Sequence, residues 1–145
     1  MITRNDIVCE ARQWIGTKWQ HQQALKGVAC DCIGLIRGVA TKVGLLPPDF
    51  ARSAVAQQFM GYGRRPDGRL VVALDLFMDR LAPTEQPAIG DVLLMRFDDN
   101  PQHVAIVTEV GIIHAHASAR KVVEHRLDSL WASRVVQAYR FKGLD

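Results

Sequence analysis

The residues best suited to covalent chemistry are one cysteine and a set of histidines. Cys32 follows Asp31, a good helix N-cap, and opens an apolar run that Gly44 ends and Pro47-Pro48 keep from resuming. A cysteine on the first turn of a helix faces free backbone N–H groups and the positive end of the macrodipole. Such placement lowers a thiol pKa from ~8.5 into roughly 3.5–7.5, the range of a nucleophile at neutral pH. The same N–H groups would meet the oxygen of an acyl group attacked by the sulfur. The competing reading makes Cys32 a small buried hydrophobe.

The histidines lie on a predicted hairpin, His103-Val104-Ala105-Ile106-Val107-Thr108, then Glu109-Val110-Gly111, then Ile112-Ile113-His114-Ala115-His116. If the turn has an even number of residues, odd positions of the first strand share a face with even positions of the second, and His103, His114 and His116 project together. A three-residue loop would separate His103 from His114. An imidazole used as a base needs a neighbour on its second nitrogen to fix its tautomer, and a second histidine can serve.

Two kinds of element must hold these groups. Thr3 and Asp6 form a capping pair for a first helix with Ile7, Val8, Ala11, Trp14 and Ile15, stopped by Gly16. The spacing predicts a central second helix over 32–43, with Gly34, Arg37, Gly38, Thr41 and Lys42 on a narrow stripe, apolar residues elsewhere, and Gly34 and Gly38 permitting close backbone approach. A short helix is expected near 53–60, turns over 61–68, and an amphipathic helix through Leu70, Leu74, Phe77, Met78 and Leu81. From Gly90 the pattern is β, with strands at 91–97, 103–108, 112–117, 122–125 and 135–141. Helices followed by an antiparallel sheet of about five strands make an α+β fold, one domain over 1–145.

Composition agrees. The 145 residues hold 48% hydrophobic and 23% charged side chains, which excludes disordered, collagenous and disulfide-scaffold classes. No apolar run approaches the ~18 residues of a membrane span, and the first residues lack a signal-peptide core, so synthesis in the cytosol without membrane insertion is expected. A net charge of +3, with scattered Lys and Arg, does not point to nucleic acid. Three cysteines leave at least one thiol free, and Cys30-Asp31-Cys32 is too tight for a relaxed disulfide. Cys9 is expected to pack on the first helix, Cys30 to be a loop residue near the site, and His21 and His125 to be surface or loop residues, His21 the better placed to line a cleft.

Gly16-Thr17-Lys18-Trp19, Asp31-Cys32-Ile33-Gly34-Leu35, Gly90-Asp91-Val92, His103-Val104-Ala105-Ile106 and Ile113-His114-Ala115 follow one another over nearly the whole chain. In this order they resemble the NlpC family, papain-like cysteine peptidases of bacterial cell walls. The loop His21-Gln22-Gln23 to Lys26-Gly27-Val28 and the last strand Ala138-Tyr139-Arg140-Phe141 look closest to its phage and gene-transfer-agent branch. The resemblance implies Cys32 as nucleophile, His103 as base then acid, and His114, with His116 as rival, as the residue orienting His103. Trp19, Asp31 and His21 fall in the substrate and oxyanion region. It also implies a peptidoglycan stem peptide as substrate, usually cut where the side-chain carboxyl of D-glutamate joins the diamino acid, no cofactor or metal, and phage-tail or particle proteins as partners that deliver the domain to the wall. Ile33 stands where relatives often carry Ser, Trp19 where many carry Tyr, and the interval from His103 to His114 is one residue shorter than usual.

Two other readings compete. Cys30, Cys32, His103 and His114 have the side-chain types of a structural zinc site, though Cys-x-Cys is tighter than the usual x₂₋₄ spacing. The chain could also be a catalytically silent, wall-binding component of a phage tail.

Overall fold

The computed structural model describes residues 1–60, 63, 68–98 and 100–144, and of Phe59 and Met60 the backbone alone. Helix α1 (Arg4–Arg12) begins at the expected capping box: Thr3 Oγ1 accepts from the Asp6 N–H at 3.1 Å and the Asp6 carboxylate accepts from the Thr3 N–H at 2.9 Å. It ends sooner than expected, and Trp14 and Ile15 lie in the turns that lead to Gly16. Helix α2 (Cys32–Val43) has the predicted bounds, with Asp31 as N-cap and Gly44 in the left-handed conformation after it. Both of its glycines serve close approach. A Cβ on Gly34 would lie 1.8 Å from the Gln23 carbonyl oxygen, and one on Gly38 would lie 2.3 Å from the Trp14 ring.

Next come a 3₁₀ turn (Phe50–Arg52), α3 (Ala54–Met60) and α4 (Arg69–Phe77), whereas the turns expected over 61–68 fall mostly outside the described residues. The five expected strands are β5 (Val92–Arg96), β6 (Pro101–Val107), β7 (Ile112–His116), β8 (Lys121–His125) and β9 (Val135–Phe141). Four more join them: β1 (Lys18–Trp19), β2 (Ala24–Leu25), β3 (Ala29–Cys30) and β4 (Met78–Arg80). Among the described residues the sheet therefore has nine strands, ordered β2-β3-β1-β8-β7-β6-β5-β9-β4, antiparallel except for the pair β1–β3. Residues Met78 to Leu81 leave the helical path because β4 pairs with β9 and the Leu81 N–H donates to the Ala138 carbonyl. A further helix, α5 (Ser129–Ser133), lies between β8 and β9.

Alternation along the strands sorts the sheet into two faces. Leu94, Val104, Ile106, Ile113 and Ala115 pack with Ile7, Ala11, Leu35 and Val39 under the helices. Leu93, Met95, Ala105 and Ile112 form a smaller cluster with Trp131 and Ala138 on the other side. Cys30 is buried in the larger cluster and Cys9 is exposed, the reverse of what their flanking residues suggested. Asp91, fully buried before β5, accepts from Arg4 at 2.8 Å, Arg140 at 2.9 Å and the Ala88 N–H at 2.8 Å. Burial acts to raise its pKa, but the two guanidiniums and the N–H prevail and hold the carboxyl below its ordinary value. This knot ties α1 to β5 and β9. No helix of the described residues is long and apolar enough to cross a membrane.

Candidate active site

The N-terminus of α2 is built around Asp31. One carboxylate oxygen accepts from the Gly34 N–H at 2.8 Å and the other from the Gln22 N–H at 2.7 Å, so one buried side chain both caps the helix and latches the loop in front of it. The Leu35 N–H bonds the Asp31 carbonyl, which leaves the N–H groups of Cys32 and Ile33 to meet the sulfur. A third N–H, from Val104, reaches the same sulfur and puts it beside the residue that follows His103.

The strand hairpin has the even turn that shared projection requires. Ile106 pairs with Ile113 and Val107 with Ile112, and the Thr108 N–H bonds the Gly111 carbonyl, leaving Glu109-Val110 at the tip. His103 Nε2 lies 2.6 Å from His114 Nδ1. His116 stacks on the His114 ring with centroids 5.1 Å apart, and it is His114 that hydrogen-bonds His103. Cys32, His103, His116, Trp19, His21 and Asp31 border one cleft of about 460 Å³, whose wall includes Arg134. The Arg134 guanidinium sits over the rings of Trp131 at 4.5 Å and Phe97 at 4.9 Å.

Two residues of this site escape a reading of the sequence. His125, expected at the surface, places Nε2 2.8 Å from His114 Nε2 and Nδ1 2.8 Å from the Arg126 carbonyl oxygen. Its signal is the face-sharing argument carried one hairpin further: His116 pairs with Lys121 and His114 with Val123, so odd positions of β8 share the histidine face. Trp131, delivered by α5, packs its ring 4.8 Å from His114, 5.1 Å from His116 and 5.3 Å from His125.

The electrostatics differ from the helix-end expectation. Burial pushes the Cys32 thiol up to about 12, with the Asp31 carboxylate adding to the rise; the N–H groups of Val104, Ile33 and Cys32 oppose it without prevailing. Burial pulls His103 down to about 3, helped by His116 and Arg134, and His114 down to about 2, helped by its three histidine neighbours. Both shifts favour the neutral forms, thiol and imidazole, of two groups that border the same cleft.

The zinc arrangement finds little support in this geometry. Cys30 is held in the core, and the facing nitrogens of His103 and His114 bond each other. Among the described residues no group of three or more His, Cys, Asp or Glu could hold a metal.

A family model, NlpC/P60 family, matches residues 13–140. The chain is similar in fold to the NlpC/p60 domain of the peptidoglycan hydrolase SagA, at 22% identity over 97% of this chain and 100% of that one, with a TM-score of 0.62. A lipoprotein-like NLP/P60 protein of Staphylococcus aureus gives 23% identity and a TM-score of 0.62 over 95% of this chain, which spans only 41% of that protein. The peptidoglycan hydrolase RipB of Mycobacterium tuberculosis gives 20% identity and a TM-score of 0.58, over 94% of this chain and 63% of that one. No curated protein sequence matches the chain significantly. With Trp19, Asp31, Cys32 and His103 on one cleft and a family match over residues 13–140, the chain belongs to the NlpC/P60 family.

Proposed function

We propose that this domain is a cysteine peptidase of the bacterial cell wall that hydrolyses an amide bond in peptidoglycan stem peptides through a thioester. The observation that carries the proposal is that one cleft is bordered both by a thiol at a helix N-terminus and by an imidazole hydrogen-bonded to a second imidazole. Two of the similar structures are peptidoglycan hydrolases, which supports the same substrate here.

Cys32 attacks the amide carbon as its proton passes to His103, so that the neutral pair becomes charged only as the S–C bond forms. The carbonyl oxygen takes up the displaced electron pair next to the N–H groups of Cys32 and Ile33. His103 then gives the proton to the departing amine and the C–N bond breaks. Water attacks the thioester, His103 accepts its proton, and the C–S bond breaks to release the carboxylic acid and restore the thiol. His114 orients His103, while Trp19, His21 and Asp31 border the bound peptide. Arg134 offers a positive wall to the free carboxylates of a muropeptide. The bond of choice is that between the side-chain carboxyl of D-glutamate and the diamino acid, and the loop 21–28 and last strand 138–141 favour a phage or gene-transfer-agent particle as carrier.

Acid quenching of the protein with muropeptide, followed by intact mass spectrometry, tests the mechanism. The expected result is an acyl adduct mapped to Cys32 that decays as product forms. Product formation that continues in Cys32→Ser without any adduct would exclude the thioester. Binding to the wall without cleavage would identify a silent tail component instead.

A further inference from the structure

The hydrogen-bonded histidines continue past His114, and the far end of the series has only one possible polarity. We propose that His125 is a positioning residue that sets the tautomers of three rings, so that His103 carries its lone pair on Nδ1, the nitrogen that does not bond His114, in the cleft it shares with Cys32. The proposal rests on the reading of Cys32 and His103 as the reacting pair.

A backbone carbonyl only accepts hydrogen bonds, so the 2.8 Å contact from His125 Nδ1 to the Arg126 oxygen requires the proton to be on Nδ1. A neutral His125 then has a lone pair on Nε2. His114 Nε2, 2.8 Å away, must be the donor, and His114 Nδ1 is left as acceptor. His103 Nε2, 2.6 Å from that nitrogen, must donate in turn. The lone pair of His103 is thereby confined to Nδ1. The opposite polarity would make His125 donate from both nitrogens, which requires a cation. Among neutral rings the arrangement is unique.

The fold holds this terminus in place. A Cβ on Gly111 would lie 2.2 Å from the His125 carbonyl oxygen and 2.7 Å from the Arg126 Cα, so the bare turn of the first hairpin packs directly on the backbone that carries the accepting carbonyl. Trp131 covers the rings of His114 and His125. A proton taken up at His103 Nδ1 leaves the donation from Nε2 to His114 in place, so the series survives protonation of His103.

The test is long-range ¹⁵N–¹H correlation on the ¹⁵N-labelled full chain at pH 7.5, with kcat/KM on muropeptide measured in parallel for wild type, His125→Leu and His125→Gln. The expected wild-type protonation is Nε2–H on His103 and His114 and Nδ1–H on His125. His125→Leu, with no acceptor for His114, should leave His103 a mixture of tautomers and lower kcat/KM about 10- to 100-fold, the range seen when an orienting partner is lost. His125→Gln, whose amide oxygen accepts from His114 Nε2–H, should recover the single tautomer and all but about threefold of the rate. Nδ1–H on His103 in the wild type would overturn the proposal, as would a glutamine variant as impaired as the leucine one. The tautomers are read without substrate, so failure to cleave muropeptide would count against the substrate and leave this test intact.

Discussion

Lowering the pH from 7.5 to 5.5 should remove about 3 kcal/mol of folding stability through two buried side chains, and the half-buried His116, its pKa also lowered by burial, adds to the loss. His103 and His114 are 5% and 0% exposed, and burial pulls their pKa values from 6.5 down to about 3 and about 2. A histidine with a depressed folded-state pKa contributes stability that is present above its unfolded value and is lost as pH falls toward the folded one. Between pH 7.5 and 5.5 the unfolded chain protonates both rings while the native protein protonates neither. Each ring then costs about 1.4 kcal/mol over this interval, which any folded-state pKa below about 4.5 would give. Asp6, Asp75, Asp91, Glu109 and Glu124 are all held below their ordinary values and lose their contribution only below this window, and Cys30 and Cys32, each pushed up to about 12, favour the folded protein below the thiol range and lose that contribution only at alkaline pH. Urea unfolding at the two pH values measures the difference directly, against a total of ~5–15 kcal/mol for an ordinary domain. His114→Gln should about halve the pH difference, whatever it does to stability at pH 7.5. A change below about 1 kcal/mol in the wild type would mean that the native rings take up protons freely, and would refute the dry, neutral histidine cluster.

Cys32 should react slowly with iodoacetamide at neutral pH and accelerate through pH 9 without a plateau, because its thiol is raised; peptide mapping separates it from exposed Cys9, and a plateau below pH 8 would contradict the neutral pair. Gly38→Ala should destabilise by about 1–3 kcal/mol in urea unfolding, since the new methyl group would meet the buried Trp14 ring; an unchanged midpoint would show that the ring can yield. Asp91→Asn should cost about 3 kcal/mol, because Arg4 and Arg140 lose their shared charge partner and one amide oxygen cannot replace two carboxylate oxygens. A calorimetric shift of less than a degree would mean that the knot contributes little.

The parts legible in the sequence were those with local punctuation. Asp31 and Gly44 delimit α2 because a cap and a left-handed glycine act within a few residues of the helix they end. The histidine face follows from strand parity once the turn is even. Strands β1, β2 and β3 leave no trace because two residues cannot display an alternation, and β4 is hidden because Met78 and Leu81 fit the helical spacing of α4 as well as they fit pairing with β9. The Cys32 thiol was misjudged by considering the helix end alone. Burial and the neighbouring Asp31 carboxylate outweigh the N–H groups, and the burial is a product of tertiary packing that the helix end alone does not report. His125 was within reach of the strand-parity argument carried to β8, but its second partner is a backbone carbonyl that no side-chain pattern reports.

The central claim is that Cys32 performs amide hydrolysis on a peptidoglycan stem peptide, and mass spectrometry of purified muropeptides treated with wild type and Cys32→Ala tests it most directly. Wild type should give stem-peptide fragments whose masses sum to the substrate plus one water, and Cys32→Ala should leave the substrate intact. Equal cleavage by both proteins would contradict it.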